Sequence, residues 1–294
     1  MPGGDGRRGA RDPATDASAA DLRRMRILAE WEAERARHPF FAEALAENSI
    51  SACWDRSAED YDGSGYGRIR RNMIDDLVAM DVLDGDRTVI DIGCGPGLFL
   101  KELAERSGKV YCVDSSVPMI DKVEQLIGSE GIVNAETILA SWERLEPVYG
   151  IDIAFTSLCP PMNDPESLLR MEDFASCRCV YASSANDDTG ITADVWKRLG
   201  KAYTMKGYDT GYPYGFLKAC GRRPELRYYS ERTVIEQTAE EAVSATLRAV
   251  SGYLGTGAEV EDAVRDAVLP YTEDGTVRIE KDMRIGMLVW EPLR

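Results

Sequence analysis

One histidine, His38, is all that a chain of 294 residues carries. That scarcity excludes a multi-histidine metal site and leaves a Ser-His-Asp relay only one residue to use. His38 stands just before Pro39, at the expected end of a helix, where it reads as an end-stabilising residue. No run of about 18 apolar residues occurs and the N-terminus lacks an apolar leader core, so neither a membrane partner nor secretion is expected. The expected location is cytoplasmic. Positive charge is short as well: 35 Lys and Arg face 51 Asp and Glu, a net charge of -16. Such a surface repels a phosphate backbone, so no nucleic-acid partner is expected. The basic run Arg68-Ile69-Arg70-Arg71 reads as a solvated helix face. The seven cysteines (Cys53, Cys94, Cys112, Cys159, Cys177, Cys179, Cys220) are odd in number and irregular in spacing, which argues against a full disulfide set. Cys177 and Cys179 alternate on an expected strand and read as small buried residues on one face. No metal is expected.

What is present is ample apolar material, 44% of the chain, enough for a substantial core. Residues 1–18 hold little to bury and read as a disordered tail. Residues 19–82 carry helical stripes, first through Leu22, Met25, Leu28 and Trp31, then through a short helix at 41–46 and one from Arg68 to Met80. This is an expected N-terminal helical cap. From 83 to 294 strands and helices alternate, the pattern of a parallel sheet with helices on both faces. Expected strands are Lys109 to Val113, Ala135 to Leu139, Ile151 to Thr156, Cys177 to Ala182, Glu225 to Ile235 and Val277 to Trp290. Helices are expected over Ala239 to Leu254 and Glu259 to Val268, but none between Thr276 and the end, so the last strand should run antiparallel. A helix is expected over Ile191 to Met205, and the aromatic, glycine-hinged segment 206–224 reads as a lid or substrate wall containing Tyr212 and Tyr214.

The chain is organised around Val89-Ile90-Asp91-Ile92-Gly93-Cys94-Gly95-Pro96-Gly97-Leu98-Phe99-Leu100. An apolar strand reaches an acid, passes three alternating glycines and opens into an amphipathic helix. Glycine suits a turn with unusual dihedrals and a ligand that must approach the backbone. The spacing is not that of the dinucleotide fingerprint, which disfavours a nicotinamide-dependent oxidoreductase. Seventeen positions after Gly97, Asp114 closes the next strand and faces the same crevice, where an acceptor-only carboxylate can take both hydroxyls of a ribose. Loop, acid and the polar end of the third strand (Ser141, Trp142) describe a nucleoside site.

These residues resemble the class I S-adenosylmethionine-dependent methyltransferases. Asp91 to Gly97 is similar to that family's first motif, Asp114 to its ribose-binding acid, and Ser115 to Met119 to the stretch lining the adenine. Trp54-Asp55 to Tyr61-Asp62 resembles the pre-core segment of small-molecule members, whose tyrosine closes over the cofactor. The resemblance implies a Rossmann-like α/β, doubly wound, seven-stranded sheet of order 3-2-1-4-5-7-6 with strand 7 antiparallel. It implies S-adenosyl-L-methionine held by Tyr61, Asp91, Gly93, Cys94, Gly95, Gly97, Asp114, Ser115, Met119, Ser141, Trp142 and Ser157. The chain departs from the family at Ala140-Ser141-Trp142, where an Asp is common, and at Thr156-Ser157-Leu158-Cys159-Pro160-Pro161, which is not the amino-group methylase signature. The expected activity is methyl transfer to a small-molecule acceptor, with Cys159, Tyr212 and Tyr214 as substrate-side residues. Two other readings stand beside it. One is binding of the cofactor without turnover; the other is a thiol-assisted metalloid methyltransferase in which Cys53, Cys159 and Cys220 converge.

Overall fold

The computed structural model describes residues 18–37, 54–55, 67–185, 190–204 and 206–293. The expected tail, His38, the short helix at 41–46, Cys53 and Tyr61 lie outside these residues, Ser18 apart. Helix α1 (Ala19–Arg35) opens on a capping box: Ser18 Oγ accepts from the Asp21 N–H while the Asp21 carboxylate accepts from Ser18. Helix α2 (Gly67–Ala79) buries Ile69, Met73, Ile74 and Leu77, an apolar stripe at helical spacing. Trp31 of α1 joins the core that includes Ile90, whereas the α2 stripe joins the one that includes Val89. Neighbours on a strand point to opposite faces. The two helices therefore cover different faces of the sheet and share no core of their own.

Strand β1 (Thr88–Ile92), helix α3 (Leu100–Glu105), β2 (Lys109–Asp114), α4 (Val117–Glu130) and β3 (Ala135–Leu139) form the first half of the sheet. Ser116 caps α4, Pro118 sits in its first turn, and Gly131 ends it in the left-handed region at φ 65. Then come β4 (Ile153–Ser157), α5 (Pro165–Arg170), β5 (Arg178–Ser184), α6 (Ile191–Arg198) and α7 (Gly211–Ala219). The chain closes with β6 (Glu225–Thr238), α8 (Ala239–Leu254), α9 (Ala258–Val268), β7 (Thr272–Glu273) and β8 (Thr276–Trp290). Strands β1 to β5 pair in parallel, and β8 lies antiparallel between β5 and β6. The order is β3-β2-β1-β4-β5-β8-β6, with β7 paired only to β8.

The sheet thus has eight strands, not the expected seven. The extra one, β7, is two residues long and turns through Asp274 and Gly275, both at positive φ, into β8. Two residues carry no readable periodicity. Cys177 precedes β5 and does not alternate with Cys179; only the latter is fully buried. The helix expected from Ile191 to Met205 stops at Arg198, with Gly200 at φ 66 just beyond.

One extension shapes the site end. Strands β6 and β8 pair from Glu225↔Val289 to Thr238↔Thr276, but β5 ends at Ser184 opposite Ile285. Residues 230–238 and 276–284 therefore run past the carboxyl ends of the parallel strands as a two-stranded ribbon. Helices α6, α8 and α9 pack there in a third core, around Val195, Trp196, Val250, Val264 and Val277. Among the described residues no helix is long and apolar enough to cross a membrane.

Candidate functional site

The carboxyl ends of β1, β2 and β4 open onto a cleft of about 1070 Å³, counting the solvent at its mouth. The glycine loop forms its floor, and each glycine has a separate job. Gly93 (φ 73) lies against the chain after β4: a Cβ there would stand 2.3 Å from the Cys159 sulfur. Gly97 (φ 85) lets the loop pass Leu126 and Val123 of α4, which would stand 3.3 and 3.4 Å from a Cβ at that position. Gly95 (φ 55) has nothing within 4 Å of such a methyl. Close packing explains the first and third. The second turns bare backbone to open space in the cleft, the arrangement a ligand in contact with the main chain requires.

Asp114 ties the loop to the second strand. Its Oδ2 accepts from the Gly95 N–H and its Oδ1 from the Ser116 N–H, both at 2.9 Å. Burial raises its carboxyl pKa against the lowering effect of these bonds, and the nearby Asp55 raises it further. Asp91 is 2% exposed. Burial, reinforced by the negative charge of Asp114, pushes its carboxyl up to about 8. No side chain among the described residues forms an ion pair with either acid. Beyond β4, Leu158 adopts φ 53, a conformation costly for a residue with a side chain, and delivers Cys159 against Gly93. Burial, then the Asp114 charge, pushes the Cys159 thiol up, so it stays protonated. The Cys94 thiol is raised by its hydrogen bond with Cys112 and by burial. Ser157 Oγ is buried with no partner among the described residues.

The residues singled out from the sequence fall into three groups. Asp91, Gly93, Cys94, Gly95 and Asp114 line the cleft, as do Ser115, Met119, Trp142, Ser157 and Cys159. Gly97 and Ser141 flank it without lining it. Tyr212 and Tyr214 are elsewhere: Tyr212 stacks on Trp31 at 6.5 Å between ring centroids, and Tyr214 sits beside Lys218 on α7. Segment 206–224 is largely a packed helix, with Phe216 and Leu217 buried, and its Thr210 wedges against Ser183 and Gly286. Trp142 combines its two readings. It is 6% exposed, its Nε1 donates to Ser167 Oγ at 2.8 Å, the Arg170 guanidinium covers it at 4.3 Å, and its remaining edge faces the cleft. Cys220 ends α7 beside Arg222, outside the lining, and no described group of three His, Cys, Asp or Glu is placed to hold a metal.

Sequence reasoning overlooked the cleft's other wall. Ile69 and Arg70 of α2 line it, with Ile285 on β8; Trp54, which opens the pre-core segment noted in the sequence, lies in the same lining. Arg70 is not part of a solvated face: its Nε donates to Glu102 Oε1 at 2.7 Å and its side chain is 24% exposed. Neither terminal nitrogen of Arg70 has a partner among the described residues. Asp55 reaches across to α4, accepting from Ser116 Oγ at 2.6 Å. The buried Ile69 inside the basic run was the one sequence signal that this helix face turns inward.

Comparison with known proteins agrees with this geometry. The profile of a family described as a methyltransferase domain matches residues 89–171. An uncharacterised protein of Haemophilus influenzae is 26% identical over 161 residues, 54% of this chain and 58% of that protein. The match therefore spans little more than half of the relative's length. A Bacillus halodurans protein assigned as a methyltransferase superposes with a TM-score of 0.52 at 12% identity, over 75% of this chain and 99% of that one. Magnesium protoporphyrin IX methyltransferase from Synechocystis, with bound S-adenosylhomocysteine, gives 0.46 at 15% identity, over 76% and 83%. Residues 89–171 thus match a methyltransferase-domain family, and the sheet that carries them shares its fold with the Bacillus halodurans protein.

Proposed function

We propose that this chain transfers the methyl group of S-adenosylmethionine to a small-molecule acceptor. The observation that carries the reading is the juxtaposition of bare backbone at Gly95 with two carboxylates, Asp91 and Asp114, that no described cation neutralises. A donor with ribose hydroxyls, an ammonium and a sulfonium fits that set. Asp114 keeps lone pairs free for the ribose hydroxyls beyond its two backbone bonds. Met119, Val113, Ala140 and the edge of Trp142 offer the adenine an apolar slot. Asp91 is suited to the donor's positive charge, and the terminal nitrogens of Arg70, unpartnered among the described residues, to its carboxylate.

When bound, the donor supplies a methyl carbon on a positive sulfur. Asp91, Asp114 and Arg70 would hold the donor's charged and hydroxyl groups so that its methyl faces an acceptor in line. The chain's own contribution is alignment and exclusion of water by Leu158, Pro160, Phe99, Ile69 and Ile285. Apart from the two acids and Arg70, the only ionisable groups lining the described cleft are the raised thiols Cys94 and Cys159. In-line positioning is thus the main source of rate. The apolar acceptor side and the net charge of -16 favour a small acceptor over a nucleic acid.

The test uses methyl-labelled donor and a fractionated small-molecule extract. Label should appear in a low-mass product with stoichiometric S-adenosylhomocysteine. Donor binding without acceptor-dependent release would favour a non-catalytic binder, and label confined to macromolecules would contradict the acceptor class.

A further inference from the structure

Where its acids are ionised, the cleft carries more negative charge than its lining balances. Asp91 is 2% exposed and lines the open space, yet no described side chain or backbone N–H donates to its carboxylate. Asp114 stands beside it, on the next strand, where Asp91 pairs with Cys112 in the parallel register. Asp55 adds a third carboxylate at the rim, held by Ser116. The one described cation in the lining, Arg70, already has its Nε on Glu102 at 2.7 Å, so much of its charge is offset locally. The wall holds a second unpartnered polar atom, Ser157 Oγ at the end of β4, buried and without a partner among the described residues.

Donor and product of methyl transfer share adenine, ribose and amino-acid end. They differ by one methyl group and one unit of charge on sulfur. Contacts to the shared parts cancel in the ratio of their affinities, and what remains reports the local potential at sulfur. We infer that this cleft selects the cationic sulfonium over the neutral thioether, with Asp91 as the residue that sets the preference. Loss of charge on transfer then loosens the product, and release is coupled to turnover. The inference rests on the reading of the cleft as a donor site. It carries a kinetic cost, because an anionic setting stabilises the sulfonium ground state more than a transition state in which that charge is fading.

The test is calorimetry at pH 8.5 with three ligands: S-adenosylmethionine, S-adenosylhomocysteine and sinefungin, whose amine places a cation where the sulfonium stands. Wild-type protein should bind both cations about tenfold more tightly than the thioether, the scale of one charge a few ångströms away in a half-solvated cleft. In Asp91→Asn all three should weaken and the ratio should fall toward one. Asp55→Asn, at the exposed rim, should move the ratio less than twofold, since solvent screens it. A wild-type protein that holds the thioether as tightly as the cations overturns the inference, as does an Asp91→Asn variant that keeps the wild-type ratio.

Should Asp91→Asn fail to fold, wild-type protein read from pH 6 to 8.5 replaces it. The groups that interact with Asp91 are Asp114 from β2 and the neutral thiols Cys94 and Cys159, and the one described cation in the same lining is Arg70 of α2. Asp91, pushed up to about 8, ionises across that range, so the cation preference should grow with pH; a flat ratio overturns the inference. No heat with any ligand at any pH is a different failure, because it removes the donor site itself and this inference with it.

Discussion

The segment from β1 to the start of α4 and the segment from α6 to β8 lie at the same end of the sheet but were written by different kinds of constraint. In the first, function and local geometry coincide. The positive φ of Gly93, Gly95 and Gly97, the Asp114 bonds to the loop and the Ser116 cap all act within thirty residues of sequence. In the second, nothing is local. The ribbon formed by β6 and β8 overshoots β5 only because its strands are longer than the space the sheet gives them, and its helices find their core with one another. The proposed donor site, built from a turn, constrains its own sequence tightly; elements placed by docking do not. For the proposed reaction, the difference teaches where to look for the acceptor's determinants: on α2 and at Ile285 of β8, which line the cleft, and not on α7.

The largest effect should come from the loop's tight approach. Gly93→Ala forces a methyl to within 2.3 Å of the Cys159 sulfur at φ 73. A loss of about 2–4 kcal/mol in folding stability is expected from overpacking plus backbone strain, read by denaturant titration. Adding Cys159→Ala should return part of it; no recovery would mean that the contact is not the cause. Gly95→Ala sharpens the comparison, because its methyl meets nothing. It should cost only about 1–2 kcal/mol of stability through the left-handed backbone, yet abolish measurable donor binding.

Next is Asp114→Ala, which should weaken S-adenosylhomocysteine by about 1–3 kcal/mol through lost charge-assisted bonds. Unchanged affinity in a folded variant would detach the second strand from the site.

Asp91→Asn separates stability from function. The folded carboxyl sits at about 8 against an ordinary value of 3.8. The unfolded chain therefore sheds its proton first, and the acid destabilises the apo-protein progressively as pH rises between those two values. The melting temperature of wild-type protein should fall across that window relative to Asp91→Asn, which should be the more stable near pH 8 while binding donor less well. Parallel melting curves would refute the unpartnered burial of Asp91.

The smallest effect concerns α7. Tyr212→Ala removes the stacking on Trp31 and should cost about 0.5–1.5 kcal/mol beyond the lost apolar burial. Donor affinity should not change. A large loss of affinity would restore the lid role expected for that segment.

What could be seen in the sequence follows the same division. The strand-loop-strand unit, the alternation that makes a parallel sheet and the reversed last strand all rest on periodicity, which one sequence displays. The two-residue β7 and the early end of α6 do not, because so short a strand has no period and the stretch beyond Arg198 keeps its residues apolar enough to resemble helix. Arg70 was misread for a further reason: three arginines in four residues look solvated until the docking of α2 turns one of them onto Glu102. Tyr212 erred in the opposite direction, since an aromatic glycine-rich passage suits a lid as well as it suits a helix packed on Trp31.

The most direct test is titration of the purified protein with S-adenosylhomocysteine, followed by calorimetry and by thermal melting. The expected result is saturable one-to-one binding with a rise in melting temperature, both lost in Gly95→Ala. Absence of heat and of any thermal shift in folded wild-type protein would contradict the central claim that the glycine turn and its two acids form a donor site.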